Sequence, residues 1–388
     1  MLPTNVEVLV AGGGPTGLVL ASVLRRAGRD VVALDKQQEG ANASRAAAIH
    51  ARTLEVLAEL GVTETLVEQG VVVPTFTFRD RDRVLTRLDF ASLPSPYPFV
   101  LTLQQNRTEA ILTKSLREAG GDVLRPYEVT GVRPDGAGAT VTVEGPDGVE
   151  TVYARFVVGA DGLHSRVRDQ VGIGFAGGDY QQSFVLADAQ VDWPLRFDEV
   201  QNFFSPAGIV VSGPLPDDHR RVLATVEHEP AAIDIPFVQQ ILDERGPTGA
   251  RVTGLSWTSR FRVHHRIAAT FRSGPVFLAG DAAHVHSPAG GQGMNLGIQD
   301  AVDLGHTLAA ALDGTALDGT ASGEDHLDGY ERRRRPIAKA TVGFTNMMTK
   351  ASIVRNRPAQ TVRNAAFSLV GHLPPARRQM ALHMSELA

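Results

Sequence analysis

Cysteine is absent from the 388-residue chain. Disulfides, thiolate metal sites and cysteine nucleophiles are excluded together. Long apolar runs are missing too: no stretch reaches the roughly 18 residues that a membrane-spanning helix needs. The first apolar stretch, residues 6–10, is too short for a secretory signal and runs into glycines, not a cleavage site. Nor is there an excess of one charge. A net charge of −5 gives no reason to expect nucleic acid or an anionic membrane as a partner. No internal repeat is evident. No G-x-S-x-G and no Ser/His/Asp arrangement occurs, so hydrolase readings lack support. A cytoplasmic location is the default expectation. What remains is a composition of 43% apolar and 21% charged residues, ordinary for a globular protein. The length exceeds that of one typical domain.

The pattern along the chain predicts an α/β body. Val6, Val8 and Val10 alternate with Leu9 between them, a short strand buried on both faces. Glycines follow, then Leu18, Ala21 and Leu24 at helical spacing, with Arg25 and Arg26 in the last turn and Gly28 as the stop. Residues 31–34 form a second strand and complete a βαβ start. Helices are expected over 50–60, 108–119, 295–312 and 325–350, with two short ones after Pro358. Short strands with Asp-Gly turns fill 123–153, buried strands lie at 156–160 and 276–279, and 184–261 is β-rich. Residues 313–323 read as an exposed loop. The domain expectation is an α/β nucleotide-binding body from 1–73, 104–180 and 262–388, interleaved with a β-sheet domain from 74–103 and 181–261.

Three constellations carry chemistry. The first is Gly12-Gly13-Gly14-Pro15-Thr16-Gly17, a G-x-G-x-x-G that follows a strand and opens a helix. Side chains there would hold a pyrophosphate off the backbone and block helix–strand packing. Free N–H groups and the helix dipole then hold the phosphates. Asp35 ends the second strand at about the 20-residue spacing that suits a ribose contact. The bland alternative is a glycine turn without ligand. The second is Gly280-Asp281-Ala282-Ala283-His284, after a buried strand. The third, Pro288-Ala289-Gly290-Gly291-Gln292-Gly293-Met294-Asn295, opens a helix. Small residues at a helix start let amides approach a flat ring and stabilise negative charge on it. The bland readings are a cap for Asp281 and a loop for the glycines.

In this order the pieces resemble the class A flavoprotein monooxygenases, the para-hydroxybenzoate hydroxylase family, and look nearest to hydroxylases of phenols and aromatic polyketides. The matching stretches are VLVAGGGPTGLVLA, SRAAAIHARTLEVLAELG, LQQNRTEAILTKSL, VVGADGLHSRVR and GPVFLAGDAAHVHSPAGGQGMNLGIQDAVDL, spanning residue 6 to about 312. The resemblance implies an FAD/NAD(P)-binding Rossmann-like domain of the GR2 type, an interleaved β-sheet substrate domain and C-terminal helices. Gly12, Gly14 and Gly17, with Pro15 and Thr16 between them, would line the FAD pyrophosphate. Asp35 would meet the adenosine ribose, with Lys36 beside it. Arg45 would reach the phosphate, Gln105 the flavin and Val129 the adenine. Asp161-Gly162 matches a signature tied to both FAD and the nicotinamide cofactor. Asp281 would bind the ribityl chain. Pro288 and Gly291 would flank the flavin ring, and Gly293, Met294 and Asn295 would give it backbone contacts.

The reaction so implied consumes NADPH or NADH and O₂ and inserts one oxygen atom into an aromatic or polycyclic phenolic substrate through a flavin C4a-hydroperoxide. No general base is named by the sequence. Residues around Phe203-Phe204, 209–212 and 222–228 are candidates for pocket walls. Alternatives on the same fold are epoxidation, Baeyer–Villiger oxidation, antibiotic inactivation and oxygen-independent reduction; a non-catalytic flavin-binding protein is a further one. The tryptophan-rich signature of flavin halogenases is missing. Many of the look-alikes continue into a thioredoxin-like domain about where this chain stops, which removes one usual dimer surface and leaves monomer and homodimer both open. His284 and His286 form an H-x-H pair that can ligate metal, but without an acidic or thiol partner close in sequence no metal is expected. His264 and His265 read as surface or junction residues. Arg332 to Arg335 read as a solvated or ion-paired helix face.

Overall fold

The computed structural model describes residues 2–40, 46–314, 323–354 and 356–388. Its first sheet is built on the strand Asn5–Ala11, where Val8, Leu9 and Val10 are fully buried. Burial of both faces is what a continuous apolar run in a parallel sheet requires. On one side this strand pairs in parallel with Val31–Leu34, and on the other with the end of the long strand Gly148–Gly159. Val276–Leu278 adds a further parallel strand beyond that one, and Val123–Leu124 lies next to Val31–Leu34. The order is that of a doubly wound sheet, with the antiparallel strands Glu128–Pro134 and Ala139–Gly145 attached to Gly148–Gly159.

The helix Pro15–Arg26 leaves the first strand and buries Leu18, Leu20, Ala21 and Leu24. It ends at Gly28, whose φ of 75° lets the chain reverse and Arg29 N–H donate back to the Leu24 carbonyl. The helix Gly293–Asp313 packs beside it, with Leu296, Ile298, Ala301 and Leu304 buried in the same core.

The second sheet has eight strands, in the order His284–Val285, Arg251–Ala268, Phe175–Asp192, His219–Val226, Gly208–Leu215, Glu199–Ser205, Thr75–Asp80 and Arg83–Asp89. Two of them, Phe175–Asp192 and Arg251–Ala268, are 18 residues long and run without a break through positions 180/181 and 261/262. The body around the first sheet thus passes into the second sheet along strands, not along linkers. A small sheet of Ala48–Ile49, Val71–Val73 and Val100–Thr102 lies between the two.

The expected helices appear as Ala51–Leu57 with a 3₁₀ turn at Ala58–Leu60, Gln105–Glu118, Gly293–Asp313 and Gly323–Ser352, and the tail forms Arg357–His372 and Pro374–Met384. Thr63–Gln69 and Ile235–Arg245 are helices that the patterning did not predict. Most of the expected loop at 313–323 lies outside the described residues. Phe203 and Phe204 line neither of the two cavities described below. Adjacent strand residues point to opposite faces, and both faces are covered: Phe203 is buried with Val238 and Leu242 of Ile235–Arg245, Phe204 against Phe367 of Arg357–His372 at 4.9 Å.

Candidate active site

The loop after the first strand is shaped by close backbone approach. Gly12 has φ 114°, and a Cβ there would sit 2.1 Å from the Ala160 carbonyl oxygen. A Cβ on Gly17 would fall 1.9 Å from the Gly12 oxygen. These two glycines are required by the protein itself. Gly14 differs: a Cβ there meets nothing within 4 Å. The middle glycine therefore keeps an open cradle in front of Pro15–Arg26, whose first turn has no side-chain cap and no acidic residue. Its amides are available to an anion.

A cavity of about 200 Å³ opens there, at the carboxyl edge of the parallel strands, where ligands bind in such sheets. Gly12, Gly14, Asp35, Lys36, Gln105, Val129, Asp161 and Gly162 all line it. Asp35 is committed to the loop: its carboxylate accepts from Gly13 N–H at 2.7 Å and Gln37 N–H at 2.8 Å and pairs with Arg125 at 3.1 Å. Arg125 also donates to the Gly13 carbonyl at 3.1 Å. Lys36 lies 3.6 Å from Glu128. Gln105 accepts from Ala46 N–H at 3.2 Å and donates to Glu109 at 2.8 Å. Asp161 faces inward, accepting from Ser165 Oγ at 2.6 Å and Val167 N–H at 3.1 Å at the head of the helix Arg166–Gln170. Burial raises its pKa against these hydrogen bonds. Gly162, at φ 82°, turns the chain of this signature at the cavity's edge. Arg45 lies outside the described residues.

A second cavity, of about 500 Å³, shares Lys36, Glu128, His164 and Arg166 with the first and adds Arg168, His264 and Arg266. His264 and Arg266 are held by Asp179 at 2.7 and 2.8 Å. Arg168 stacks over Phe175 at 4.0 Å and donates to the Ala282 carbonyl at 3.1 Å, so this cationic wall is tied to the Gly280–Ala282 turn.

That turn follows Val276–Leu278 and leaves Asp281 exposed. Behind it, buried Asp300 accepts from Gly280 N–H at 3.2 Å, bonds His284 Nε2 at 2.6 Å and accepts from Arg334 Nε at 2.7 Å. Burial works to raise the Asp300 pKa, but His284 and Arg334 outweigh it and the carboxyl is held below its usual range. The Gly280 and Thr16 loops touch: a Cβ on Gly280 would lie 2.6 Å from Thr16 Oγ1, and one on Gly297 2.5 Å from the same atom.

Asn295 is fully buried, and its side chain bonds His50 N–H (2.8 Å), the Ala48 carbonyl (2.9 Å) and the Gly291 carbonyl (2.8 Å). His50 Nε2 lies 2.7 Å from the Gly290 carbonyl. A carbonyl only accepts, so this nitrogen carries the hydrogen. Burial lowers the His50 pKa to about 4 despite backbone bonds to Gly290 and Gly291, and the ring is neutral near pH 7. Asn295 and His50 thus fix the Gly290–Gly291 turn, where both residues have positive φ. Pro288, Gly291, Gly293 and Met294 remain half-buried around it. The helix Gly293–Asp313 again has no side-chain cap and no acid in its first turn. Two uncapped helix starts, an unobstructed glycine cradle and a cavity at the sheet edge fit a long phosphate-bearing cofactor with an anion-accepting ring. Arg125, His164, Arg168, Arg266 and His50 were not singled out in the sequence. Arg125 carries no local signal, whereas His50 stands inside the SRAAAIHARTLEVLAELG stretch and His164 and Arg168 inside the Asp161-Gly162 stretch, where they could have been read.

An FAD-binding-domain family model matches residues 5–345. The 12-dehydrotetracycline 5-monooxygenase/anhydrotetracycline 6-monooxygenase of Streptomyces rimosus is 35% identical over 395 residues, covering 98% of this chain and 76% of that protein. The crystal structure of p-nitrophenol 4-monooxygenase from Pseudomonas putida DLL-E4 superposes with a TM-score of 0.88 at 26% identity and covers 99% of both chains. Aklavinone-11 hydroxylase, solved in a ternary complex with FAD and aklavinone, gives a TM-score of 0.78 at 26% identity over 93% of this chain and 71% of that one. The chain therefore belongs to the FAD-binding-domain family, as a flavoprotein monooxygenase of the class A aromatic-hydroxylase type.

Proposed function

We propose that this monooxygenase hydroxylates an aromatic or polycyclic phenolic compound, with NADPH or NADH as the transient reductant and O₂ as the oxygen source. The observation that carries the cofactor placement is the bare cradle at Gly14 facing an uncapped helix. Gly12, Gly14, Pro15, Thr16 and Gly17 would hold the pyrophosphate, and Asp35, Lys36 and Val129 would border the adenosine end. Gln105, Asp281 and the Pro288–Asn295 turn would border the ribityl chain and ring.

The flavin, when bound, supplies the redox and oxygen chemistry. The chain's part is to bind, orient and screen. The uncapped start of Gly293–Asp313 favours negative charge on whatever lies against it. Neutral His50 holds the Gly290 carbonyl without adding a charge of its own. For the nicotinamide cofactor, the basic side chains Lys36, Arg166, Arg168 and Arg266 of the second cavity, which Glu128 and Asp169 also line, support a pyrophosphate-bearing ligand beside the flavin site. A phenolic substrate is supported by the relatives, whose names include anhydrotetracycline and p-nitrophenol.

The deciding experiment is a screen of aromatic compounds for stimulated NAD(P)H oxidation by the FAD-loaded protein, with a mass search for products. A product heavier by one oxygen atom is expected. Consumption of NAD(P)H with a reduced, oxygen-free product would show a reductase instead.

A further inference from the structure

The H-x-H pair of the sequence divides in the fold. His284 is bonded to Asp300. His286 has its Nδ1 3.0 Å from the Ser287 carbonyl. Only an N–H can satisfy a carbonyl, so Nδ1 carries the hydrogen and Nε2 of the neutral ring is a lone pair. That Nε2 is buried and has no hydrogen-bond partner among the described residues. A buried unsatisfied ring nitrogen is costly to keep unless something else meets it.

What it faces is the start of a helix. A Cβ built on Gly293 would lie 3.9 Å from both Cε1 and Nε2 of His286. Because position 293 has no side chain, that edge of the ring looks onto the uncapped first turn of Gly293–Asp313. An acceptor without a partner thus stands beside the first residue of a helix that has no side-chain cap. Burial, and then His284, lower the His286 pKa to about 4, and the bond to Ser287 does not compensate. Asp300, His265 and Tyr180 are titratable groups on the elements packed around it. Asp300, on Gly293–Asp313, is held by His284, by Gly280 and by Arg334 of Gly323–Ser352. His265, on Arg251–Ala268, stands opposite His286 when the Arg266–Val285 register is extended by one residue, and its Nδ1 is also unpartnered. Tyr180, on Phe175–Asp192, packs its ring 4.9 Å from His265.

We propose that His286 is the acid–base partner for negative charge at the start of Gly293–Asp313, taking a proton at Nε2 when a bound flavin is reduced there. This rests on the placement of the flavin ring given under Proposed function. The balance is simple. A hydride from the nicotinamide cofactor carries two electrons and one proton to the flavin, which gains one negative charge, and the oxidised nicotinamide leaves. The proton that neutralises the site is taken up from a hydronium ion or buffer acid of the bulk solvent and resides on His286. Burial and the helix start both oppose an imidazolium, so the charge on the reduced ring has to outweigh them; the ion pair then adds to what the helix start alone supplies.

The test uses the FAD-loaded full chain with ¹⁵N-labelled histidine. His286→Asn assigns the His286 signals by their loss, and His286→Gln does so if the first variant does not fold. At pH 7 the oxidised enzyme should show His286 with one bare ring nitrogen, and the chemically reduced enzyme should show both nitrogens protonated. In parallel, His286→Asn should bind FAD normally yet have a flavin midpoint potential lower by about 30 mV, a tenfold weaker two-electron reduction. A His286 that stays neutral in the reduced enzyme, or an unchanged potential in a flavin-loaded variant, overturns the proposal and leaves the flavin placement standing. A protein that takes up no FAD overturns both.

Discussion

The three glycines of the first loop have different physical reasons to be there, and substitution should separate them. At Gly12 and Gly17 a methyl group collides with backbone oxygens at about 2 Å, which no side-chain rotation relieves. Gly12→Ala and Gly17→Ala should each destabilise the apoprotein by roughly 3 kcal/mol, the upper end for forced overpacking. At Gly14 a side chain has room, and its φ of −79° is one that any residue adopts. Gly14→Val should leave urea unfolding of the apoprotein within about 0.5 kcal/mol of wild type while abolishing FAD uptake, read as protein without yellow absorbance. A destabilised Gly14 variant, or a yellow one, would remove the assignment of that cradle to the phosphates. Asp281 gives the complementary case. It is exposed at the head of the turn, so Asp281→Ala should also fold normally, and it should lose FAD on dilution through a missing polar contact. Full flavin retention would show that Asp281 does not touch the cofactor.

At the scale of elements, the site is held from behind by carboxylates with opposite pH behaviour. Asp300 joins the turn after Val276–Leu278 to the helices Gly293–Asp313 and Gly323–Ser352. Its depressed pKa means that it stabilises the fold above the unfolded value and that this stability is lost as pH falls through the folded value. Asp300→Asn should cost about 3 kcal/mol in urea unfolding at pH 7, because Arg334 would keep a buried charge without its partner. Glu386 follows the C-terminal helix Pro374–Met384 and accepts from Gln299. Burial raises its pKa from 4.5 to about 8, more than the bonds to Gln299 and Thr53 lower it. The folded chain then keeps a proton that the unfolded chain has released, so stability falls between about pH 4.5 and 8, by at most about 1.4 kcal/mol per pH unit. Glu386→Gln should flatten that fall in urea titrations at pH 6 and 8. An equal slope in the variant would mean that the carboxyl is not the cause. Neither carboxylate could be read from the sequence as a clasp, since each meets partners far along the chain. The helices show the same limit. Gly293–Asp313 was legible from its apolar period and glycine start. Ile235–Arg245 was masked by strands on both sides, although Asp234, which caps it by accepting from Phe237 N–H at 3.0 Å, and Pro236 behind it are a usable start signal.

For the molecule as a whole, the proposed cofactor site draws on segments about 270 residues apart, 12–17 and 280–297. Local motifs in each were visible in the sequence, because glycines at strand-to-helix turns have few other uses. Their distance from one another was not. It follows from the packing of Pro15–Arg26 against Gly293–Asp313 in one core, at whose head Thr16 Oγ1 fills the space that a Cβ on Gly280 or Gly297 would need. Gly297 lies in the helix, one turn beyond Gly293, and was not among the expected cofactor residues. Gly297→Ala would place its methyl 2.5 Å from Thr16 Oγ1 and 3.2 Å from Gly280 Cα, pushing the two loops apart. It should destabilise the apoprotein by about 1–3 kcal/mol and weaken FAD binding at the same time, unlike Gly14→Val, which should affect binding alone. Thr16→Ala removes the offending oxygen, so adding it to Gly297→Ala should recover most of both losses. In a double-mutant cycle the two sites should couple by more than about 0.5 kcal/mol, beyond what independent positions show. FAD added at 100 times its Kd should stabilise wild type by about 2.7 kcal/mol, and the double variant should regain that increment where Gly297→Ala lacks it. Strictly additive effects of the two substitutions would mean that the halves are registered by something other than Thr16.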